Sequence, residues 1–334
     1  MASRPKLVAA LLAMLLAGAV PAGAAPLVIA HRGASGYLPE HTAEAQMLAV
    51  GLGADFVELD VVLSRDGVPV VLHDLTLDAT TDVAARFPER ARADGRFYAI
   101  DFDLAELATL EVGERVDPRT GEAVFPGRFP LARGFRLPTL DRTIDLVQGL
   151  EASTGRLIGL YVEVKRPLFH RQEGQDISRV VLEALAAAGY GGASDGRLYL
   201  QGFDWAETQR IRAELGYAGP LVQLIGGNDW ADAAGTDYVA LLGDAGLARL
   251  AGTVDGIGVP IGLVLDPAGE STGLAERAAA LGLAVHAYTL RADRLPGWAA
   301  DMAELVGRLE AVGVDGFFAD QPDLARAALA PPER

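Results

Sequence analysis

One feature constrains this chain more than any other: from Leu27 onward, short apolar runs of strand length alternate with amphipathic stretches of helical period. The runs are Leu27 to Ala30, Phe56 to Leu63, Leu157 to Val164, Arg197 to Phe203, Leu221 to Ile225, Gly256 to Val259, Ala284 to Leu290 and Gly316 to Ala319. Between them the pattern predicts helices over His41 to Leu52, Thr139 to Leu150, Ile177 to Ala188, Trp205 to Leu215, Tyr238 to Ala251, Gly273 to Leu281 and Trp298 to Val312, with Leu324 to Leu329 after the last run. Runs this apolar suit strands covered on both faces, and their alternation with helices suits parallel pairing. Eight such units with no linker predict a single α/β domain over residues 26–330, a (β/α)8 TIM barrel.

Two segments depart from that plan. Val68 to Leu72 is also strand-like, but only Ser64-Arg65-Asp66-Gly67 separates it from the second run. That is too short for a parallel crossover and predicts an antiparallel hairpin arm. Over about residues 75–138 the periodicity gives way to charged sequence containing Pro and Gly, with one amphipathic stretch from Leu104 to Leu110. A long insertion in this fold extends a βα connection, so the expectation is a small cap domain at the barrel mouth. Residues 1–25 read as a leader: Arg4 and Lys6 precede an apolar stretch from Leu7 to Val20, and Ala22-Gly23-Ala24 follows Pro21. The stretch is shorter than the ~20 residues of a membrane span, which favours a cleaved signal peptide and a periplasmic or secreted protein without a stable membrane anchor.

Composition narrows the chemistry. The chain carries 29 Lys+Arg against 45 Asp+Glu, a formal net charge of −16, and has no basic run, so nucleic acid is not an expected partner. It has no cysteine, which removes thiolate nucleophiles, zinc–thiolate sites and iron–sulfur clusters. Any metal must sit on oxygen or imidazole.

Chemistry in a barrel of this kind gathers where strands end at the carboxyl face. The first strand ends in His31-Arg32-Gly33, the second contains Glu58-Leu59-Asp60, the hairpin arm ends in His73-Asp74, and the third holds Glu163-Val164-Lys165. Residues i and i+2 of a strand share a face, so Glu58 points with Asp60, and Glu163 with Lys165. Three carboxylates in one mouth repel one another unless protons or a hard divalent cation relieve them, which makes Glu58, Asp60 and Glu163 the candidate metal ligands. An all-oxygen set suits calcium or magnesium better than zinc. Of the five histidines, His31 and His73 end neighbouring segments beside this cluster and are the candidate acid and base. Arg32 and Lys165 are placed to hold an anion such as a phosphate. His170 lies in a polar connection and is expected at the surface, while His41 and His286 either line the mouth or pack beneath it. Gly33-Ala34-Ser35-Gly36 reads as a tight strand-to-helix turn, and Thr42 as a helix cap or a ligand.

Taken together these residues resemble the glycerophosphodiester phosphodiesterases, in particular their periplasmic branch. The resemblance rests on His31-Arg32-Gly33-Ala34-Ser35-Gly36-Tyr37-Leu38-Pro39-Glu40-His41-Thr42, on Glu58-Leu59-Asp60-Val61 with Val70-Val71-Leu72-His73-Asp74, and on Glu163-Val164-Lys165. Gln201-Gly202-Phe203-Asp204, Val285 to Arg291 and Val314 to Pro322 extend it to nearly the whole chain. Where most of that family has asparagine this chain has His41, and where it often has tryptophan this chain has Tyr288. The resemblance implies a barrel with a small inserted domain that hydrolyses small-molecule glycerophosphodiesters to sn-glycerol 3-phosphate and an alcohol such as choline or ethanolamine. It further implies calcium on Glu58, Asp60 and Glu163, acid and base roles for His31 and His73, and phosphate contacts from Arg32 and Lys165. The proposed route is attack by the glycerol 2-hydroxyl and a cyclic phosphate. The alternatives are a phospholipid-headgroup phospholipase on the same barrel and an exported binding protein without catalysis. Oligomeric state is not legible in the sequence.

Overall fold

The computed structural model describes residues 25–117, 120–131, 133–192 and 196–329. The leader expected over residues 1–25 lies outside them apart from its last residue. No helix of the described residues is long and apolar enough to cross a membrane.

Among the described residues nine strands form one sheet: β1 (Leu27–Ala30), β2 (Phe56–Leu63), β3 (Pro69–Val71), β4 (Gly159–Val164), β5 (Leu198–Gly202), β6 (Leu221–Leu224), β7 (Gly256–Pro260), β8 (Ala284–Leu290) and β9 (Gly316–Ala319). Eight of them are parallel and close on themselves, because β1 pairs both with β2, where Ile29 faces Phe56, and with β9, where Ile29 faces Phe318. The ninth, β3, is antiparallel to β2 and stands outside the closed ring. This is the TIM barrel and hairpin arm that the run spacing predicts.

Strand periodicity explains how the barrel is filled. Side chains two residues apart point inward in successive layers. The lower layer holds Ile29, Phe56, Tyr161 and Phe318, with Tyr199 against them. Tyr161 and Tyr199 stack at 4.9 Å, and the Tyr161 hydroxyl hydrogen-bonds His286 Nδ1 at 2.8 Å. This aromatic plug forces the next inward residue of each strand up into the mouth: His31 above Ile29, Glu58 above Phe56, Glu163 above Tyr161, Gln201 above Tyr199. The alternate residues, Val57, Leu59, Val162 and Val164 among them, are fully buried between strands and helices.

Residues 75–138 include short helices such as Leu104–Leu107 and close on an apolar cluster of their own with Val62, Val70 and Leu72, led by Leu77, Phe97, Phe102 and Leu110. Some sequence boundaries shift for visible reasons. The first helix begins at Ala43, because Thr42 caps it by accepting the Ala45 N–H at 3.2 Å. The pattern over Tyr238 to Ala251 divides into Tyr238–Leu241 and Asp244–Ala251, with Gly243 in extended backbone between them. The last long helix starts only at Met302, where the Asp301 carboxylate accepts the Glu304 N–H. His170 is a correction: it is 1% exposed, not at the surface. Its Nε2 accepts the Leu63 N–H at 3.1 Å, at the end of β2 that overhangs the ring.

Candidate active site

A cavity of about 300 Å³ opens at the carboxyl ends of the strands and is lined by all seven residues singled out above. Its floor is the acidic triad. Ligand oxygens of Glu58, Asp60 and Glu163 lie within 4.8 Å of one another, and all three side chains are buried. The neighbouring cations are unevenly shared. Lys165 Nζ sits 2.8 Å from Glu163 Oε1 and 3.6 Å from Asp60 Oδ1, and Arg32 Nε lies 3.7 Å from Asp60 Oδ2. Glu58 instead accepts the Arg32 backbone N–H at 2.7 Å and the Gln201 amide at 3.3 Å. Among the described residues no cation lies within 4 Å of it.

The electrostatics follow from that geometry. Burial, reinforced by the Asp60 charge, pushes the Glu58 carboxyl well above the usual range. Burial also raises Glu163, against the pull of Lys165. For Asp60 burial acts upward too, but Lys165, His73 and His41 outweigh it and hold the carboxyl well below its ordinary value. Burial would lower the Lys165 ammonium, and the surrounding carboxylates Glu163, Asp60 and Asp232 reverse that. Two fixed cations among three carboxylates leave about one negative charge unrelieved. The Asp60 Oδ1 atom is buried without a hydrogen-bond partner. An all-oxygen donor set with an orphaned carboxylate oxygen fits a hard divalent cation.

Above the triad the two histidines face the cavity in matching settings. His31 Nδ1 donates to Asp320 Oδ1 at 2.7 Å, and His73 Nδ1 donates to Asp74 Oδ1 at 2.6 Å. A carboxylate on Nδ1 fixes the tautomer and leaves Nε2 for proton transfer. Each aspartate is braced by an arginine: Arg291 lies 3.4 Å from Asp320, and Arg115 contacts Asp74 at 2.7 Å. His73 is held below its ordinary pKa by burial and by the Arg32 and Lys165 charges. Leu72 N–H donates to the Asp60 carbonyl, so the returning β3 arm delivers His73 level with the triad. His31 and Arg32 leave β1 at a turn where Arg32 (φ 57) and Gly33 (φ 79) adopt left-handed backbone.

The structure also brings in residues that local sequence reading passes over. Arg115, from the insertion, grips Glu40 with two nitrogens at 2.7 and 2.8 Å, and Glu40 in turn accepts from Arg32 at 3.1 Å. Burial works against the Glu40 charge, but Arg115 and Arg32 lower its pKa well below normal. His41 lies below the mouth and donates Nε2–H to Asp60 Oδ2 at 2.8 Å. One wall of the cavity is apolar, made by Phe203, Leu224, Trp230, Tyr288 and Phe318. Glu40, His41, Asp74, Gln201, Phe203, Tyr288 and Asp320 sit inside the recognised motifs, whereas Arg115 sits in none. Asp320 follows β9 directly, 289 positions from the histidine it holds.

The comparisons with known proteins agree with this geometry. The model of the Glycerophosphoryl diester phosphodiesterase family matches residues 31–324. A glycerophosphodiester phosphodiesterase of Haemophilus influenzae is 40% identical over 321 residues, covering 89% of this chain and 88% of the relative. One from Treponema pallidum is 35% identical, covering 92% and 93%. Among solved structures, a glycerophosphoryl diester phosphodiesterase candidate from Silicibacter pomeroyi DSS-3 superposes with a TM-score of 0.70 at 25% identity, covering 92% of this chain and 94% of the other. An Oleispira antarctica phosphodiesterase, solved with the product sn-glycerol-3-phosphate, shares the fold with a TM-score of 0.61 at 22% identity, covering 91% and 97%. Strand order, site composition and sequence similarity converge, and the chain belongs to the glycerophosphoryl diester phosphodiesterase family.

Proposed function

We propose that the protein hydrolyses small glycerophosphodiesters to sn-glycerol 3-phosphate and an alcohol. The observation that carries this reading is two Asp-held histidines facing one cavity whose floor is an under-neutralised triad of carboxylates. Glu58, Asp60 and Glu163 would hold a divalent metal, calcium first and magnesium second. Such an ion neutralises the triad and lowers the pKa of a hydroxyl that it binds.

The residues of the chain do the rest. Arg32 and Lys165 offset phosphate charge. One histidine accepts the proton of the glycerol 2-hydroxyl as that oxygen attacks phosphorus, and the other donates a proton to the departing alcohol oxygen. Water then opens the cyclic phosphate with the two roles exchanged. Asp320 and Asp74 keep each Nε2 turned inward throughout. The apolar wall of Phe203, Trp230 and Phe318 suits the carbon chain of the glycerol arm.

In this reading the protein is of the periplasmic branch, exported by residues 1–25 and working as a barrel domain over 26–330, with residues 75–138 as its insertion. The deciding experiment is release of sn-glycerol 3-phosphate from glycerophosphocholine, with calcium, with magnesium and after chelation. Turnover that chelator abolishes and metal restores, and that His31→Ala removes in folded protein, is the expected result. Absence of turnover with every metal would overturn the reading and favour a phospholipid headgroup or a binding role.

A further inference from the structure

A second cavity, of about 360 Å³, lies on the far side of the histidines from the metal triad. The two cavities share four lining residues, His31, Arg32, His73 and Thr289. The triad opens only into the first; the second is walled by Glu114, Arg115 and Phe125 from the insertion and by Arg291 and Asp320 from the barrel. We propose that this second chamber is the subsite for the leaving alcohol, that it takes a short polar arm, and that Phe125 of the insertion is its specificity-determining wall. The inference rests on the diesterase reading and extends it.

A phosphodiester has two arms on one phosphorus, and here two chambers meet at one rim of histidines and arginine. With phosphorus at the rim, the arm whose 2-hydroxyl attacks must lie toward the triad, so the other arm is directed into the second chamber. The walls there set its chemistry. Three guanidinium groups, Arg32, Arg115 and Arg291, face three carboxylates, Glu40, Glu114 and Asp320, and the formal charges cancel. These carboxylates are engaged: Arg128 takes both oxygens of Glu114 at 2.8 and 2.9 Å, and Arg115 both of Glu40. A wall of paired charges offers hydrogen-bonding partners without demanding one sign of charge, and it gives a fatty chain nothing to pack against except Val124 and Phe125. Phe125 is fixed in turn by Arg128, 3.9 Å from its ring centre, and by Arg291 at 5.2 Å. The insertion therefore contributes a rigid side to a site otherwise built by the barrel.

The two halves of the substrate can be tested separately by calorimetric binding to the metal-supplied protein. Phosphocholine carries the leaving arm and sn-glycerol 3-phosphate the attacking arm. Phe125→Ala should weaken phosphocholine about tenfold and leave sn-glycerol 3-phosphate within about twofold, and Trp230→Ala in the first chamber should do the reverse. Hexyl phosphate, of similar reach but apolar, should bind at least about tenfold more weakly than phosphocholine. Should Phe125→Ala lower the melting temperature, Val124→Trp, which fills the chamber, must still exclude phosphocholine selectively. Equal effects on both halves, no effect on either, or tighter binding of hexyl phosphate would overturn the assignment while glycerophosphocholine turnover persists. Loss of turnover together with binding of neither half by the unaltered protein would instead strike the diesterase reading itself.

Discussion

The under-neutralised triad makes a prediction in which stability and activity move in opposite directions. At the 4.8 Å that bounds the triad's oxygen separations, two ionised carboxylates repel by about 3.5 kcal/mol at an effective dielectric constant of ~20. Glu58 has two such neighbours, while Lys165 and Arg32 sit against Asp60 and Glu163. Replacing Glu58 by glutamine removes one charge and keeps the shape. Its amide oxygen can still accept the Arg32 N–H, and Gln201, whose Oε1 is buried without a partner, can turn to accept from the new amide nitrogen. The two cations relieve part of this repulsion and the upward shift of Glu58 takes the rest as the cost of holding a proton at neutral pH, so a net gain of about 2–3 kcal/mol follows in metal-free protein. For a chain of this size the melting temperature moves roughly 1.6 °C per kcal/mol, so Glu58→Gln should melt about 3–5 °C higher than wild type in chelator. Metal closes the gap: at a hundred times its dissociation constant it adds about 2.7 kcal/mol, or about 4 °C, to wild type. A variant binding a hundredfold more weakly gains only about 0.4 kcal/mol at the same concentration, below 1 °C, and its turnover falls with its affinity. Calorimetric melting in chelator and in calcium or magnesium measures all four values. A lower melting temperature for Glu58→Gln in chelator, or no metal shift in wild type, would refute the account of the triad as a strained cation site.

Three further outcomes can be checked with single variants. Asp320→Asn removes a charge-assisted hydrogen bond of about 1.5–3 kcal/mol from His31 and should lower kcat about 10- to 100-fold while sn-glycerol 3-phosphate binds as before; a rate within about threefold of wild type would show that Asp320 does not set the histidine. Burial pushes His170 and His286 down to about 4, below the ordinary unfolded value of about 6.5, so each favours the fold fully above that pH and loses its contribution as pH falls toward 4. Each is worth on the order of 3 kcal/mol over that window, and His170→Gln should reduce the fall in melting temperature between pH 7 and pH 4.5 by about 4 °C; an unchanged fall would mean the ring is not held neutral. At Gly33 (φ 79) a Cβ would lie 2.8 Å from the Ala45 carbonyl carbon, so Gly33→Ala should cost about 2–4 kcal/mol, read as a melting temperature roughly 3–6 °C lower, and an unchanged value would exclude the close approach.

Much of this molecule was legible because its barrel strands are short and buried on both faces. β1, β2, β8 and β9 span the residues that their apolar runs mark, and period-two alternation correctly turned Glu58, Asp60, Glu163 and Lys165 inward. What stayed hidden depends on which strands become neighbours. Asp320 alternates with Phe318 just as His31 alternates with Ile29, yet the pairing has meaning only once Ile29 is seen opposite Phe318 at the closure of the barrel. His170 misled for a related reason: its surroundings in sequence are polar, and the group that buries it is a backbone N–H of β2, 107 positions away. Arg115 gave no signal because the insertion lacks periodicity, and its side chain is placed by ion pairs to Glu40 and Asp74, 75 and 41 positions away.

That last residue explains why the insertion and the barrel cannot be understood as separate parts. The arm carrying His73 stands outside the closed ring, paired with β2 on one edge and bridged at Val70 to Thr139 on the other, and the turn after β1 places Arg32 in left-handed backbone. Neither segment is locked by the barrel alone. Arg115 closes both at once, through Asp74 to His73 and through Glu40 to Arg32, using the fork geometry that a lysine could not reproduce. The same stretch of chain carries Phe125 into the second chamber. A change in the insertion therefore reaches the reaction along two routes, one through the orientation of His73 and Arg32 and one through the space left for the alcohol. Substitutions that separate these effects must alter Phe125 and leave Arg115 in place.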